Sequence, residues 1–181
     1  MIALVYYGFV VCLLLYLMVA FLYLCMLIIS GLIGSPYVKT NKNIVPTIFD
    51  RANIRKQSLV VEVGSGIGVL TNTVAKRYGC RVLGIEMNPL LYTASIARNK
   101  LFGSPRVKFE LKNALIYDYS PASHIYVFMF PSLIKRLAPQ IRRTAKNGAM
   151  VISYGFCIDM FKDNLIHKEH TAPYAIYYYK L

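Results

Sequence analysis

Residues 60–70 read Val-Val-Glu-Val-Gly-Ser-Gly-Ile-Gly-Val-Leu, and Glu86 follows eighteen residues after Gly68. Glu62 thus stands two places before a triple-glycine turn, Gly64-x-Gly66-x-Gly68. A strand that turns sharply into a helix, with a ligand lying against its backbone, needs glycine there. The helix start offers free N–H groups to an anion. An acid at the end of the next strand can accept the hydroxyls of a ribose. These residue types in this order describe a cradle for a nucleoside-bearing ligand.

The dinucleotide pattern Gly-x-Gly-x-x-Gly would place its third glycine at position 69, which is Val69. The spacing found, with Glu62 just upstream, resembles motif I of the class I S-adenosylmethionine-dependent methyltransferases. Glu86 resembles the ribose-binding acid of that family. The resemblance implies S-adenosyl-L-methionine as cofactor. Its carboxylate would sit near Gly66 and Gly68 at the helix start, and Glu62 would face its amino group. Ser65 and Met87 would flank it, and Glu86 would hold the ribose. Asn113 and Ala114, after the third strand, would sit by the adenine. Aspartate is the more usual residue at that position, and Asn113 can offer its carbonyl oxygen to the same donor.

Strands must position these residues. The sequence predicts strands over 58–63, 81–86, 106–112, 125–130 and 148–154, and a closing strand over 175–180. Helices are expected over 45–56, 66–78, 89–101 and 132–145, the last kinked or split at Pro139. Alternation of strand and helix predicts an α/β fold, Rossmann-like, with a mostly parallel sheet and helices on both faces. Ligands then bind at the carboxyl ends of the strands. The glycine turn, Glu86, Asn113 and Phe130-Pro131 all fall at such ends.

One apolar segment precedes this domain. The first charged residue of the 181 is Lys39. As a helix, residues 2–29 would be about 40 Å long, more than the roughly 30 Å hydrocarbon core of a bilayer. The absence of Lys or Arg and the length of the run favour an uncleaved transmembrane anchor over a signal peptide. The expected division is an anchor over 1–33 and a catalytic domain over 34–181. Lys39, Lys42, Arg51, Arg55 and Lys56 follow the span, so the positive-inside rule puts the domain on the cytoplasmic side. All 21 basic and 8 acidic residues lie after the span, a formal charge of +13. That suits an anionic membrane surface, and equally a solvated exterior. The four cysteines show no Cys-x-x-Cys pair, which fits a reducing compartment. His167-x-x-His170 lacks a matched cysteine pair, and no metal is expected.

Two further segments narrow the resemblance. Pro36-Tyr37-Val38-Lys39-Thr40 is similar to a Pro-Tyr/Phe-Val-Pro-Thr-type segment of a group of small protein lysine methyltransferases. That group includes the membrane-anchored ATP synthase c-subunit lysine methyltransferases and compact archaeal enzymes. Phe128-Met129-Phe130-Pro131-Ser132-Leu133 and Val151-Ile152-Ser153-Tyr154-Gly155-Phe156 resemble the same group's fourth and fifth strands. Lys39 stands where that group has proline. The resemblance implies a loop over the cofactor, with Tyr37, Thr40 and Phe130 positioning a lysine substrate and no general base assigned. Membrane protein-lysine N-methylation is the expected function, and methylation of a lipid, quinone or other small molecule is the alternative. The chain has no Asn/Asp-Pro-Pro-Tyr/Phe motif and no Pro-Cys dipeptide, so a nucleic-acid substrate is disfavoured. Oligomeric state is left open.

Overall fold

The computed structural model describes residues 2–33 and 42–181. The described residues fall into two compact units, one within the first 37 residues and one after them. The first is helix α1, Ile2–Ile33, with no acidic residue in its first turn and no basic residue in its last. The stretch Ala3–Cys25 is long and apolar enough to cross a membrane.

The second unit is a seven-stranded sheet: β1 (Leu59–Val63), β2 (Arg81–Glu86), β3 (Val107–Leu111), β4 (His124–Val127), β5 (Met150–Gly155), β6 (Leu165–Thr171) and β7 (Tyr174–Lys180). Their order across the sheet is β3-β2-β1-β4-β5-β7-β6. Strands β1 to β5 pair in parallel, and β7 runs antiparallel between β5 and β6. Helices α2 (Val45–Phe49) and α3 (Val69–Tyr78) pack on one face, where Val45, Phe49, Leu70 and Val74 meet Val60, Val82, Tyr126 and Ile152. Helix α5 (Pro131–Thr144) covers the other face, with Ile134, Leu137 and Ile141 against Val61, Ile125 and Val151. Helix α4 (Pro89–Phe102) joins β2 to β3. This is the expected α/β architecture, with strand order reversing between β1 and β4.

The strand expected over 125–130 ends at Val127 and the helix expected from 66 begins at Val69; three further elements differ from the sequence expectation. The helix after Val45 stops at Phe49 and tightens into a single 3₁₀ turn, Asp50–Ala52, ended by Asn53 at φ 51°. Helix α5 runs unbroken through Pro139. Pro139 is exposed, so the carbonyl left without its usual donor faces water rather than the core. Strand β6 has no counterpart in the sequence reading. Its Leu-Ile-His-Lys-Glu-His-Thr run is polar and stays largely exposed at the sheet edge, so it lacks the apolar pattern that marks a buried strand.

Gly84 of β2 and Phe109 of β3 are register partners. A Cβ at Gly84 would lie 2.6 Å from the Phe109 ring, and one at Gly68 would lie closer still. Phe109 thus fills the space that two glycines vacate and braces the glycine turn from beneath. Gly68 also sits at φ 72°, where side chains are strained. Gly68→Ala is therefore expected to cost about 2 kcal/mol by overpacking and backbone strain combined, read as a lower denaturation midpoint of the full chain. An unchanged midpoint would mean that the Phe109 ring moves aside freely.

Candidate functional site

The glycine turn is built from backbone hydrogen bonds. The N–H groups of Gly64 and Ser65 both donate to the Ile85 carbonyl, at 2.8 and 3.0 Å, and that of Gly68 to Ser65 O at 2.9 Å. Gly64, Gly66 and Gly68 all have positive φ, 71°, 55° and 72°. The Gly66 N–H donates to Glu86 Oε2 at 2.8 Å. Glu86 Oε1 accepts from the N–H groups of Met87 and Asn88 at 2.9 and 2.8 Å. One carboxylate therefore ties the turn after β1 to the corner after β2. An ionised carboxylate has about four acceptor positions, so roughly one on Glu86 stays open to a further donor.

Glu62 is buried at 5% exposure. The Thr71 hydroxyl donates to its Oε2. Burial pushes the Glu62 carboxyl up to about 8, against the opposing pull of the Thr71 hydroxyl and backbone N–H. Asn72, one residue on, donates from Nδ2 to Gly68 O at 3.0 Å and accepts from Ser104 N at 2.9 Å. Thr71 thus fastens α3 to β1, and Asn72 links the end of the turn at Gly68 to Ser104. The sequence reading passed over both, although each is a polar residue on an inward position just after the glycines. Ser65 is also buried, and its Oγ has no hydrogen-bond partner.

Asn113 caps a 3₁₀ turn, Ala114–Ile116, its Oδ1 accepting from Leu115 N at 2.9 Å. Buried Tyr119 holds that turn from behind by donating to Ala114 O at 3.0 Å. Gln140 of α5 donates to Tyr117 O at 2.6 Å. Met87 is exposed beside Glu86. Phe130 precedes α5 and is 44% exposed, with its ring 6.4 Å from that of Phe156. Glu62, Ser65, Gly66, Gly68, Glu86, Met87, Asn113 and Phe130 all lie at or just beyond the carboxyl ends of β1 to β4. Tyr37 and Thr40 lie outside the described residues. His167 and His170 lie on β6, the His167 ring 5.7 Å from that of Tyr178. Among the described residues no group of three or more His, Cys, Asp or Glu is arranged to hold a metal.

The family described as the ANTKMT methyltransferase domain matches residues 62–164, more than half of the chain. The chain belongs to that family. It is an S-adenosylmethionine-dependent methyltransferase with a Rossmann-like fold. A protein-lysine N-methyltransferase from Saccharolobus islandicus is 26% identical over 125 residues, covering 67% of this chain and 76% of that protein. Phosphoethanolamine N-methyltransferase 2 from Caenorhabditis elegans is 27% identical over 122 residues, covering 61% of this chain but only 28% of that protein. Among solved structures, an RNA methyltransferase from Salinibacter ruber in complex with S-adenosyl-L-homocysteine superposes with a TM-score of 0.73 at 22% identity. It covers 79% of this chain and 93% of its own. At that identity the likeness is one of fold.

The buried Glu62 makes the methyltransferase sensitive to pH. The unfolded chain gives up this proton near 4.5, whereas the folded one keeps it up to about 8. Between those values the folded state binds more protons, so stability falls as pH rises. Glu62→Gln keeps an acceptor for Thr71 and removes the titration. The variant should gain on the wild type with pH, by on the order of 3 kcal/mol between pH 5 and pH 8, in denaturation of the ligand-free protein. A difference that stays flat across that window would refute it.

Proposed function

We propose that this methyltransferase is a membrane-anchored protein-lysine N-methyltransferase. Its anchor would be residues 1–33 and its catalytic domain residues 34–181. The observation that carries the reading is the match to the archaeal protein-lysine N-methyltransferase, which spans two thirds of this chain and three quarters of that protein. The exposed apolar side chains of α1, Leu4 to Ile28 among them, support lipid burial of that helix. Basic residues after the span support a cytoplasmic domain. Lys76, Lys100, Arg142 and Arg143 occupy the last turns of α3, α4 and α5. Only two ion pairs occur among the described residues, which leaves most basic side chains open to an anionic membrane surface.

The residues fit the cofactor. The unpartnered Ser65 Oγ is a buried polar atom in the middle of the glycine turn, where a ligand atom can satisfy it. Gly64, Gly66 and Gly68 keep the turn free of side chains. Glu86, already holding three N–H groups, has an acceptor position for a ribose hydroxyl. Asn113 Oδ1, with one donor bound, can take the adenine amino group, beside Ala114 and Met87. Glu62, protonated to about pH 8 in the ligand-free protein, would be drawn to its ionised form by the cofactor's α-ammonium beside it. When bound, S-adenosylmethionine supplies an electrophilic methyl group, and the protein positions and desolvates. Phe130 and Phe156 support a half-exposed aromatic entrance. Such an entrance disfavours the ammonium form of an incoming lysine and leaves its amine free to attack in line. Tyr37 and Thr40 would complete that entrance.

The phosphoethanolamine N-methyltransferase relative favours a second reading, in which the acceptor is a small amine or a lipid of the same membrane. Incubating membranes with the full chain and methyl-labelled cofactor separates the two. Label on protein lysine is expected; label confined to the lipid or small-molecule fraction would transfer the assignment to the second reading.

Two variants test the site. Glu86→Ala strands three N–H groups as well as the ribose. It should lower stability and reduce cofactor affinity at least about tenfold, some 1.4 kcal/mol, by calorimetry at a temperature where the variant stays folded. Unchanged affinity would sink the ribose assignment. Phe130→Ala should lower methyl transfer about tenfold or more and leave cofactor affinity within about twofold. Equal losses in both would place Phe130 against the cofactor alone.

A further inference from the structure

The edge of the sheet remote from the cofactor turn is lined with cations. Strands β1 to β5 are parallel, so all five begin at that edge. Lys56 before β1, Arg81 at the start of β2, Arg106 before β3 and Lys146 before β5 are exposed along it. Helices α3 and α4 run back from the carboxyl ends of their strands. Their last turns, with Lys76 and Lys100, therefore arrive at the same edge. None of these side chains takes part in either ion pair found among the described residues.

One corner of this edge also carries an exposed apolar pair. Leu101 and Phe102, the last two residues of α4, are 72% and 69% exposed. Between Glu86 and Glu110 the chain has no acid and four cations, Arg98, Lys100, Arg106 and Lys108, all exposed. The corner is firmly held. Lys76 Nζ donates to Phe102 O at 2.6 Å, the Gly103 N–H to Asn99 O at 2.8 Å, and the Ser104 N–H to Asn72 Oδ1 at 2.9 Å. Ser104 and Asn72 are both buried. Leu101 and Phe102 thus project from a fixed support into solvent. Adjacent large apolar side chains rimmed by charge mark a surface that meets a partner. Cations whose stems lie along apolar surface while their heads stay at phosphates suit lipid.

We propose that this amino edge of the sheet is the lipid-facing surface of the domain, with Leu101 and Phe102 entering an anionic leaflet and Lys76, Lys100 and Arg106 on its phosphates. Each cation so placed strengthens binding to an anionic surface about fivefold. Helix α1, long and apolar enough to cross a membrane, favours lipid over an acidic protein as the occupant, because such a tether keeps a bilayer within reach. The mouth at the carboxyl edge then faces away from the lipid. Helix α4, 14 residues and about 20 Å long, is the spacer between them. Headgroups of that leaflet lie out of reach of the methyl group, and the acceptor stands clear of the lipid surface. The proposal rests on the lysine reading and adds to it where the acceptor nitrogen lies.

The chain has no tryptophan, so Phe102→Trp supplies a single reporter. The test places the full chain in nanodiscs of phosphatidylcholine, with or without phosphatidylglycerol, and reads quenching of its fluorescence by brominated acyl chains. Phe102→Trp should be quenched at least about twofold in the anionic discs and far less in the neutral ones. Ile116→Trp, at a position 75% exposed beyond the carboxyl end of β3, should stay unquenched in both. Adding Lys100→Glu and Arg106→Glu to Phe102→Trp should remove the quenching, with cofactor affinity in detergent unchanged. Absent quenching at Phe102→Trp, equal quenching at Ile116→Trp, or quenching that neutral discs reproduce would overturn the proposal. Absent quenching together with lost lysine labelling in the charge-reversed variant would give the surface to an acidic protein instead. Lysine labelling by the wild type in any of these cases would leave the lysine reading standing. Label found only in the lipid or small-molecule fraction would overturn that reading, and the placing of the acceptor with it.

Discussion

The site depends on one carboxylate, that of Glu86. It accepts N–H groups from Gly66 on one side and from Met87 and Asn88 on the other. Two turns from different strands are thereby held at a fixed separation. Without Glu86 these three donors would be stranded in a largely buried place, at a cost in stability for each. The same residue keeps one acceptor position open at the surface of the cradle. If Glu86 takes the ribose as proposed, structural and ligand-facing roles coincide in a side chain that has almost no freedom of its own, which is what preorganisation requires.

The surrounding packing serves the same end. Phe109 fills the space left by Gly68 and Gly84, while Thr71 fastens α3 to β1 and Asn72 holds the turn at Gly68. On the other side of the sheet, α5 and Tyr119 support the turn that carries Asn113. The part of the mouth that would meet the substrate is different in kind. Beyond β4 and β5 three rings, Phe128, Phe130 and Phe156, stand exposed or half-exposed beside Met129 and Cys157. A polar cradle beside an aromatic entrance suits a reaction in which the protein supplies position and desolvation rather than a proton relay.

The apolar N-terminal helix and the methyltransferase domain are built on different principles. Between its ends helix α1 satisfies its backbone groups internally, and it presents apolar side chains all round, the form that lipid would demand. The domain carries every charge of the chain and places cations in the last turns of its helices, where the helix dipole also favours them. Tethering would raise the concentration of the domain near a substrate in the same membrane without any further contact.

The sequence alone determined the α/β order of elements, the glycine turn, both acids and the apolar N-terminal helix. Each of these is local: glycine is needed where φ is positive, and alternation of strand and helix reads directly as a parallel sheet. Family membership followed from the same residues. Tertiary structure decided what local pattern could not express. Gly84 faces Phe109 only through strand register, and Thr71 meets Glu62 only once α3 folds back on β1. Burial, not residue type, holds a proton on Glu62 to about pH 8. The corner that carries Leu101 and Phe102 is held by Asn72 and Lys76 of another helix. Strand β6 forms because β7 offers it an edge, since its own polar sequence has no apolar face to announce it.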